Sequence, residues 1–156
     1  MKKTETKTTV VIDETDMQIL SLIKDNARIS MKSIAERTYL SSTAIAARIE
    51  KLEKAGYIQG YYTKINSAAF GLGVKAFINL EVEPIQKTEF YPYISSCVNV
   101  VQCSCVTGEF SMLIEVLFAS TAELDRFIGE LQHFGRTKTQ IVFSTPVEHR
   151  AVLPEK

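Results

Sequence analysis

The segment 41-SSTAIAARIEKL-52 carries Ile45, Ile49 and Leu52 at i, i+4 and i+7, the apolar stripe of one helical face. Almost everything between them is small: Ser41, Ser42, Thr43, Ala44, Ala46 and Ala47. At about 100° per residue, Thr43, Ala47, Glu50 and Lys54 point away from that stripe, flanked by Ala46 and Lys51. Such a helix is built for a close approach. Its surroundings decide between a nucleic-acid groove and a second protein surface.

Two capped helices precede it. Asp13 is a good N-cap with Asp16 at N3, and Ile12 and Met17 stand at the N′ and N4 positions of a hydrophobic staple. Ile19, Leu20 and Ile23 form the inner face, and the helix stops in the polar KDNAR segment. Ser30 opens a second, brief helix that carries Ile34 and Ala35 inward and ends near Thr38. Tyr39 and Leu40 make a tight turn, Ser41 caps the third helix, and Gly56 closes it at C′. YIQGYYTKI (57–65) then reads as a short hairpin around Gly60. Two helices joined by a short turn, with Ala35 small where they cross, form a helix-turn-helix, and a following hairpin makes it the winged kind. That unit places the leading end of its second helix in the major groove, about 12 Å wide. Small residues there let the helix sink toward base edges, and basic residues on its flanks and trailing end meet phosphates. The alternative is an alanine-rich helix packed against a second subunit.

Composition fits an ordinary globular protein: 156 residues, 46% hydrophobic and 23% charged, enough for one domain or two small ones. Eighteen basic residues balance eighteen acidic ones, so overall charge points to no polyanion. The first 63 residues carry net +2 and the remainder net −2, a weak asymmetry of the sign that suits nucleic acid in the first half. MKKTETKTTV lacks the apolar run of a signal peptide and reads as a disordered arm, and no stretch approaches the length of a membrane span. Cys97, Cys103 and Cys105 read as free thiols of a reducing cytoplasm.

After residue 73 the period changes. Val74, Ala76, Ile78, Leu80 and Val82 alternate with Lys75, Asn79 and Glu81, a half-buried strand. A helix is expected from about Thr88 to Ser96, kinked or started by Pro92. VNVVQCSCV and SMLIEVLF are strands around the turn TGEF. Ser120 to Glu123 is a capping box opening a helix, with Leu124, Phe127, Ile128 and Leu131 on its inner face. Gly135 ends it, and TKTQIVFSTPV is the last strand. The order β-α-β-β-α-β is the ferredoxin-like arrangement, one antiparallel sheet with helices on one face. Its other face is partly apolar, with Phe77, Val101 and Val142 as candidates, and a partner subunit is the economical cover.

In order along the chain, IDETDMQIL, RISMKSIAER, RIEKLEKAGYIQGY, NSAAFGLG, QCSCVTGEF and GRTKTQIVF resemble the Lrp/AsnC feast/famine transcription regulators, from about Ile12 to Val147. The resemblance implies an α+β protein: a disordered arm (1–11), a winged helix-turn-helix (12–63), a linker (64–73), and a ferredoxin-like domain (74–150) for effector binding and dimerisation. It implies double-stranded DNA as partner, self-association as a dimer and further as a tetramer or octamer, and modulation by a small molecule such as an amino acid. It makes Ser42, Thr43, Ala46 and Ala47 groove-facing and Arg48, Lys51 and Lys54 phosphate or base contacts. Effectors of the family bind between subunits near the turn that here holds Thr107, Gly108, Glu109, Phe110 and Ser111. Exposed N–H groups of a glycine-containing turn suit a carboxylate; the plain alternative is a hairpin turn in which Gly108 supplies positive φ. Two residues depart from the family's pattern: Ser111 stands where Asp is usual, and Tyr39 where Gly is usual in the helix-turn-helix turn.

Other chemistry is thinly represented. Cys103 and Cys105 share a strand face without a partner pair, and buried small hydrophobes are the better reading than a metal site. No catalytic triad or phosphate-binding loop is visible, and no cofactor is expected. A sirohaem decarboxylase, an enzyme on a similar fold, would have only His133, His149, Arg136 and Lys138 to hold a tetrapyrrole. A regulator without an effector is the third reading, motivated by Ser111. The expectation is a cytoplasmic, non-enzymatic DNA-binding regulator.

Overall fold

The computed structural model describes residues 11–154, so the expected arm, apart from Val11, lies outside the described residues. The chain forms two compact units, one of residues up to Lys64 together with the segment from His149, the other Ile65–Glu148. The division falls within the stretch expected as a linker, and residues 149–150, expected in the second domain, group with the first.

In the first unit, helix α1 (Glu14–Asp25) begins at Asp13, whose carboxylate accepts from the Asp16 N–H while Asp16 reaches back to the Asp13 N–H. Helix α2 (Met31–Thr38) and helix α3 (Ser42–Lys54) are capped by Ser30 and Ser41. Ile19, Leu20, Ile34, Ala35, Ile45, Ile49 and Leu52 close into one core, against which Ile12, Met17, Leu40, Ile58 and Leu153 pack. α3 ends in a Schellman motif: the Gly56 and Tyr57 N–H groups donate to the Glu53 and Leu52 carbonyls, with Gly56 at φ 77°. The hairpin expected over 57–65 is not formed; these residues carry no strand assignment. An isolated two-stranded ribbon is marginal, and the segment is held by side chains instead. Ile58 packs on the core, and the Tyr61 phenol donates to Glu53 at 2.8 Å.

The second unit is a four-stranded antiparallel sheet, β1 (Val74–Leu80), β2 (Val100–Cys105), β3 (Met112–Phe118) and β4 (Thr137–Ile141), in the order β2-β3-β1-β4. Helix α4 (Lys87–Ser96) lies between β1 and β2, and α5 (Thr121–Leu131) between β3 and β4. This is the expected ferredoxin-like order. One sheet face supplies Ala76, Ile78, Leu80, Met112, Ile114 and Val116 to a core shared with Phe90 and Ile94 of α4 and Leu124, Phe127 and Leu131 of α5. Pro92 lies within α4, on an exposed position, and the helix runs on to Ser96. β4 is shorter than expected. After Val142 donates to the Lys75 carbonyl, β1 has almost no residues left to pair. Cys105, expected to be buried with Cys103, is exposed; it ends the edge strand β2, while Cys103 packs against the core opposite Ile114.

Gly135 permits the closure between α5 and β4. A Cβ there would stand 1.7 Å from the Glu81 carbonyl oxygen. The close approach lets the Glu81 N–H donate to the Arg136 carbonyl at 2.9 Å. The other sheet face presents Phe77, with Lys75 paired to Glu115 at 2.7 Å and lying over the Phe77 ring.

Candidate nucleic-acid interface and effector turn

Ser42, Thr43, Ala46 and Ala47 are all exposed, while Ile45, Ile49 and Leu52 on the far side of α3 are buried. The Ser41 hydroxyl is occupied as the cap, accepting from the Ala44 N–H at 3.1 Å. The leading end of α3 is therefore a smooth surface of hydroxyls and methyls.

Arg48 and Lys51 are placed differently from the expectation of free DNA contacts. The Arg48 guanidinium donates to Asp13 at 2.8 Å and Asp16 at 2.6 Å, and Lys51 reaches Asp16 at 3.3 Å and the Val11 carbonyl at 3.4 Å. Asp16 is fully buried. Burial raises its pKa, but hydrogen bonds from Arg48, the Asp13 N–H and Lys51 outweigh this and hold it below the ordinary 3.8. The Asp16 N–H, and then Arg48, hold the Asp13 carboxyl low as well. These two bases tie the middle of α3 to the start of α1. Lys54 is well exposed and pairs with Glu50 at 2.5 Å, one turn back on its own helix. Glu50 thus points to solvent as expected, answered by a neighbour rather than facing the groove alone.

The sequence reading missed Asp16 as the anchor, treating it only as an N3 residue. A signal was present: Asp16 sits on the same stripe as Ile19, Leu20 and Ile23, and a carboxylate there needs a cation. Also missed were Arg28, Lys32 and Arg37, exposed on and before α2; their side chains make no ion pair among the described residues.

In the second unit the turn is drawn together at its ends. The Val106 N–H donates to the Ser111 carbonyl and the Ser111 N–H to the Leu80 carbonyl. Between them Thr107, Gly108 and Glu109 are exposed, and Gly108 has φ 116°. The Ser111 hydroxyl accepts from the Val82 N–H at 2.9 Å, so its oxygen is spent on the end of β1. Glu109 is held by Arg136 at 2.8 Å, the same guanidinium meets Glu81 at 3.3 Å, and it lies 5.1 Å from the Phe110 ring centre. Of the residues considered for a tetrapyrrole, Arg136 is committed to two carboxylates. No group of three or more His, Cys, Asp or Glu suited to a metal occurs among the described residues.

Residues 12–59 match a family model described as winged helix-turn-helix DNA-binding, and residues 75–152 match the Lrp/AsnC ligand binding domain. The HTH-type transcriptional regulator LrpA of Bacillus subtilis is 32% identical over 133 residues, covering 85% of this chain and 98% of that protein. B. subtilis LrpC, at 23% identity, has the same fold, with a TM-score of 0.84 over 90% of this chain and 100% of its own. The transcriptional regulator NMB0573 of Neisseria meningitidis, solved as an L-Met complex, is 25% identical with a TM-score of 0.83, covering 92% of this chain and 97% of its own. With both parts of the chain matched in order, and a relative of this identity along most of its length, the chain belongs to the Lrp/AsnC family of transcriptional regulators, a winged helix-turn-helix DNA-binding domain followed by a ligand-binding domain.

Proposed function

We propose that this chain is a sequence-specific DNA-binding regulator of transcription, not an enzyme, acting in the cytoplasm as a dimer or larger homo-oligomer. The observation that carries the reading is the division of α3 into a buried stripe and an exposed, capped face of Ser42, Thr43, Ala46 and Ala47. That face enters the major groove. Lys54 of α3 and the unpaired Lys32 and Arg37 of α2 meet phosphates, while Arg48 and Lys51 act by holding α3 on α1. A second copy covers the sheet face that carries Phe77.

The test is Ala47→Glu. The position is exposed, so the fold tolerates the change, but the acid adds bulk and repulsion where the groove must close. The expected result is an unchanged melting temperature with DNA binding lost; wild-type binding would remove α3 from the interface. Genomic footprinting then supplies the operator.

The finer part of the reading is a small-molecule effector, such as an amino acid, at Thr107–Ser111. The L-Met complex of the Neisseria relative supports it, as do the exposed turn and the N–H groups of Thr107 to Phe110, which donate to no protein acceptor among the described residues. A ligand ammonium finds no free acid here, because Ser111 is neutral and bound to β1 and Glu109 is paired with Arg136. That observation favours the second reading, an effector-independent regulator. Thermal shift against a panel of amino acids decides between them: stabilisation by any one supports the effector site, and none supports the second reading.

A further inference from the structure

Tyr39 is the one non-glycine residue at positive φ among the described residues, with φ 56° and ψ 35°. A side chain in the left-handed region carries a conformational cost. The backbone gains the C-cap of α2, with the Tyr39 and Leu40 N–H groups both donating to the Ala35 carbonyl, but the side chain gains nothing. The side chain is 95% exposed, and the phenol makes no hydrogen bond or ring contact among the described residues. Its neighbour Leu40 packs on the core, so the turn buries one side chain and sends the other into water. A strained residue whose side chain contributes nothing internally is best explained by a partner outside the domain.

Its position names the partner. Tyr39 lies two residues before Ser41, the cap of α3, and three before Ser42, the first residue of the exposed face. With the leading end of α3 in a groove about 12 Å wide, a side chain projecting beside that end stands at the groove wall, which is phosphate. The α3 tip carries only hydroxyls and methyls, and Arg48 and Lys51 are turned to Asp13 and Asp16. A contact that fixes how the helix enters must come from beside it.

We propose that Tyr39 is a DNA-contacting residue whose phenol O–H donates a hydrogen bond to a backbone phosphate and so sets the entry of α3 into the groove. This rests on the DNA-binding reading above. A phenol adds no charge, so the contact strengthens binding without releasing a further counterion.

The experiment uses the full chain, a mixed-sequence duplex as probe and a salt titration, with Tyr39→Phe and Tyr39→Gly. Tyr39→Phe should weaken binding about tenfold, the effect of one hydrogen bond to a charged acceptor, leaving melting temperature and the slope of log K against log salt unchanged. Tyr39→Gly relieves the turn and should melt at or above the unmodified protein, yet bind no better than Tyr39→Phe. Wild-type affinity in either variant overturns the proposal, as does a Tyr39→Gly protein whose stability falls together with its affinity. If the unmodified protein does not hold the duplex, the DNA-binding reading fails and this inference fails with it.

Discussion

Each unit contains an arginine shared between two carboxylates, and the two clusters behave differently. In the first, Arg48 meets Asp13 and Asp16 at 2.8 and 2.6 Å, with Asp16 fully buried and the Arg48 side chain 30% exposed. In the second, Arg136 meets Glu109 and Glu81 at 2.8 and 3.3 Å, with all three side chains between 47% and 63% exposed. Contact distances hardly separate them; desolvation does. A buried carboxylate stripped of its cation has no water to turn to, whereas exposed ions exchange one partner for solvent at small cost. The first cluster is a fixed joint between α1 and α3. The second is a loose clasp over the turn Thr107–Ser111, able to open without disturbing the sheet beneath.

The largest expected effect tests the ground under the loose clasp. Gly135→Ala puts a Cβ into the Glu81 carbonyl and should cost the second unit at least about 4 kcal/mol in chemical denaturation, if it folds at all. Arg136 next door then appears as a mobile side chain on a rigid backbone. Arg48→Ala comes second. It leaves Asp16 with Lys51 as its cation beside the Asp13 N–H, and should cost about 2 kcal/mol, less than a fully buried pair because Arg48 is partly exposed. DNA affinity should fall with it as α3 loosens, and a stability unchanged by the substitution would erase the distinction between the clusters.

Acid sharpens the same comparison. Because the folded-state pKa values of Asp13 and Asp16 lie below their ordinary 3.8, their stabilisation is fully present above that value and lost as pH falls through the lower folded values. Melting curves of the first unit should therefore be insensitive to these two groups near neutrality and lose their contribution below about pH 4. Ser111→Ala follows in size, at about 1 kcal/mol, because the Val82 N–H loses its acceptor. Arg136→Ala should be smallest, within about 0.5 kcal/mol. A cost as large as that of Arg48→Ala would show that the exposed cluster is not loose.

Much of the architecture was legible because it is written locally. Ser30, Ser41, Asp13 and Ser120 act where they stand in the chain, and each caps the helix expected of it. The alternation of β1 follows from one covered face, and the strand order follows from the sequence of elements. What escaped depends on residues far apart in sequence. Arg48 reads as a DNA contact, and its pairing with Asp16, thirty-two positions earlier, is not visible along the chain. Ser111 reads as a residue of the effector turn, and nothing in the chain order shows that the Val82 N–H, just past β1, donates to its hydroxyl. Cys105 reads as buried because it shares a face with Cys103, but the pattern does not tell where an edge strand outruns its covering helices. Residues 57–65 have the composition of a hairpin, yet the ribbon has no third strand to hold it.

Leu153 rests against the core of α1, α2 and α3, although nearly a hundred residues separate it from Lys54, the end of the last of those helices. A growing chain on the ribosome therefore completes its three helices early but must wait for Leu153 before the first unit has all its contacts. During that interval the helices exist without their closing residue while the second unit is being made. Assembly of the first unit is thus timed by synthesis of the second, and a chain released early would carry a DNA-binding unit left open at one side.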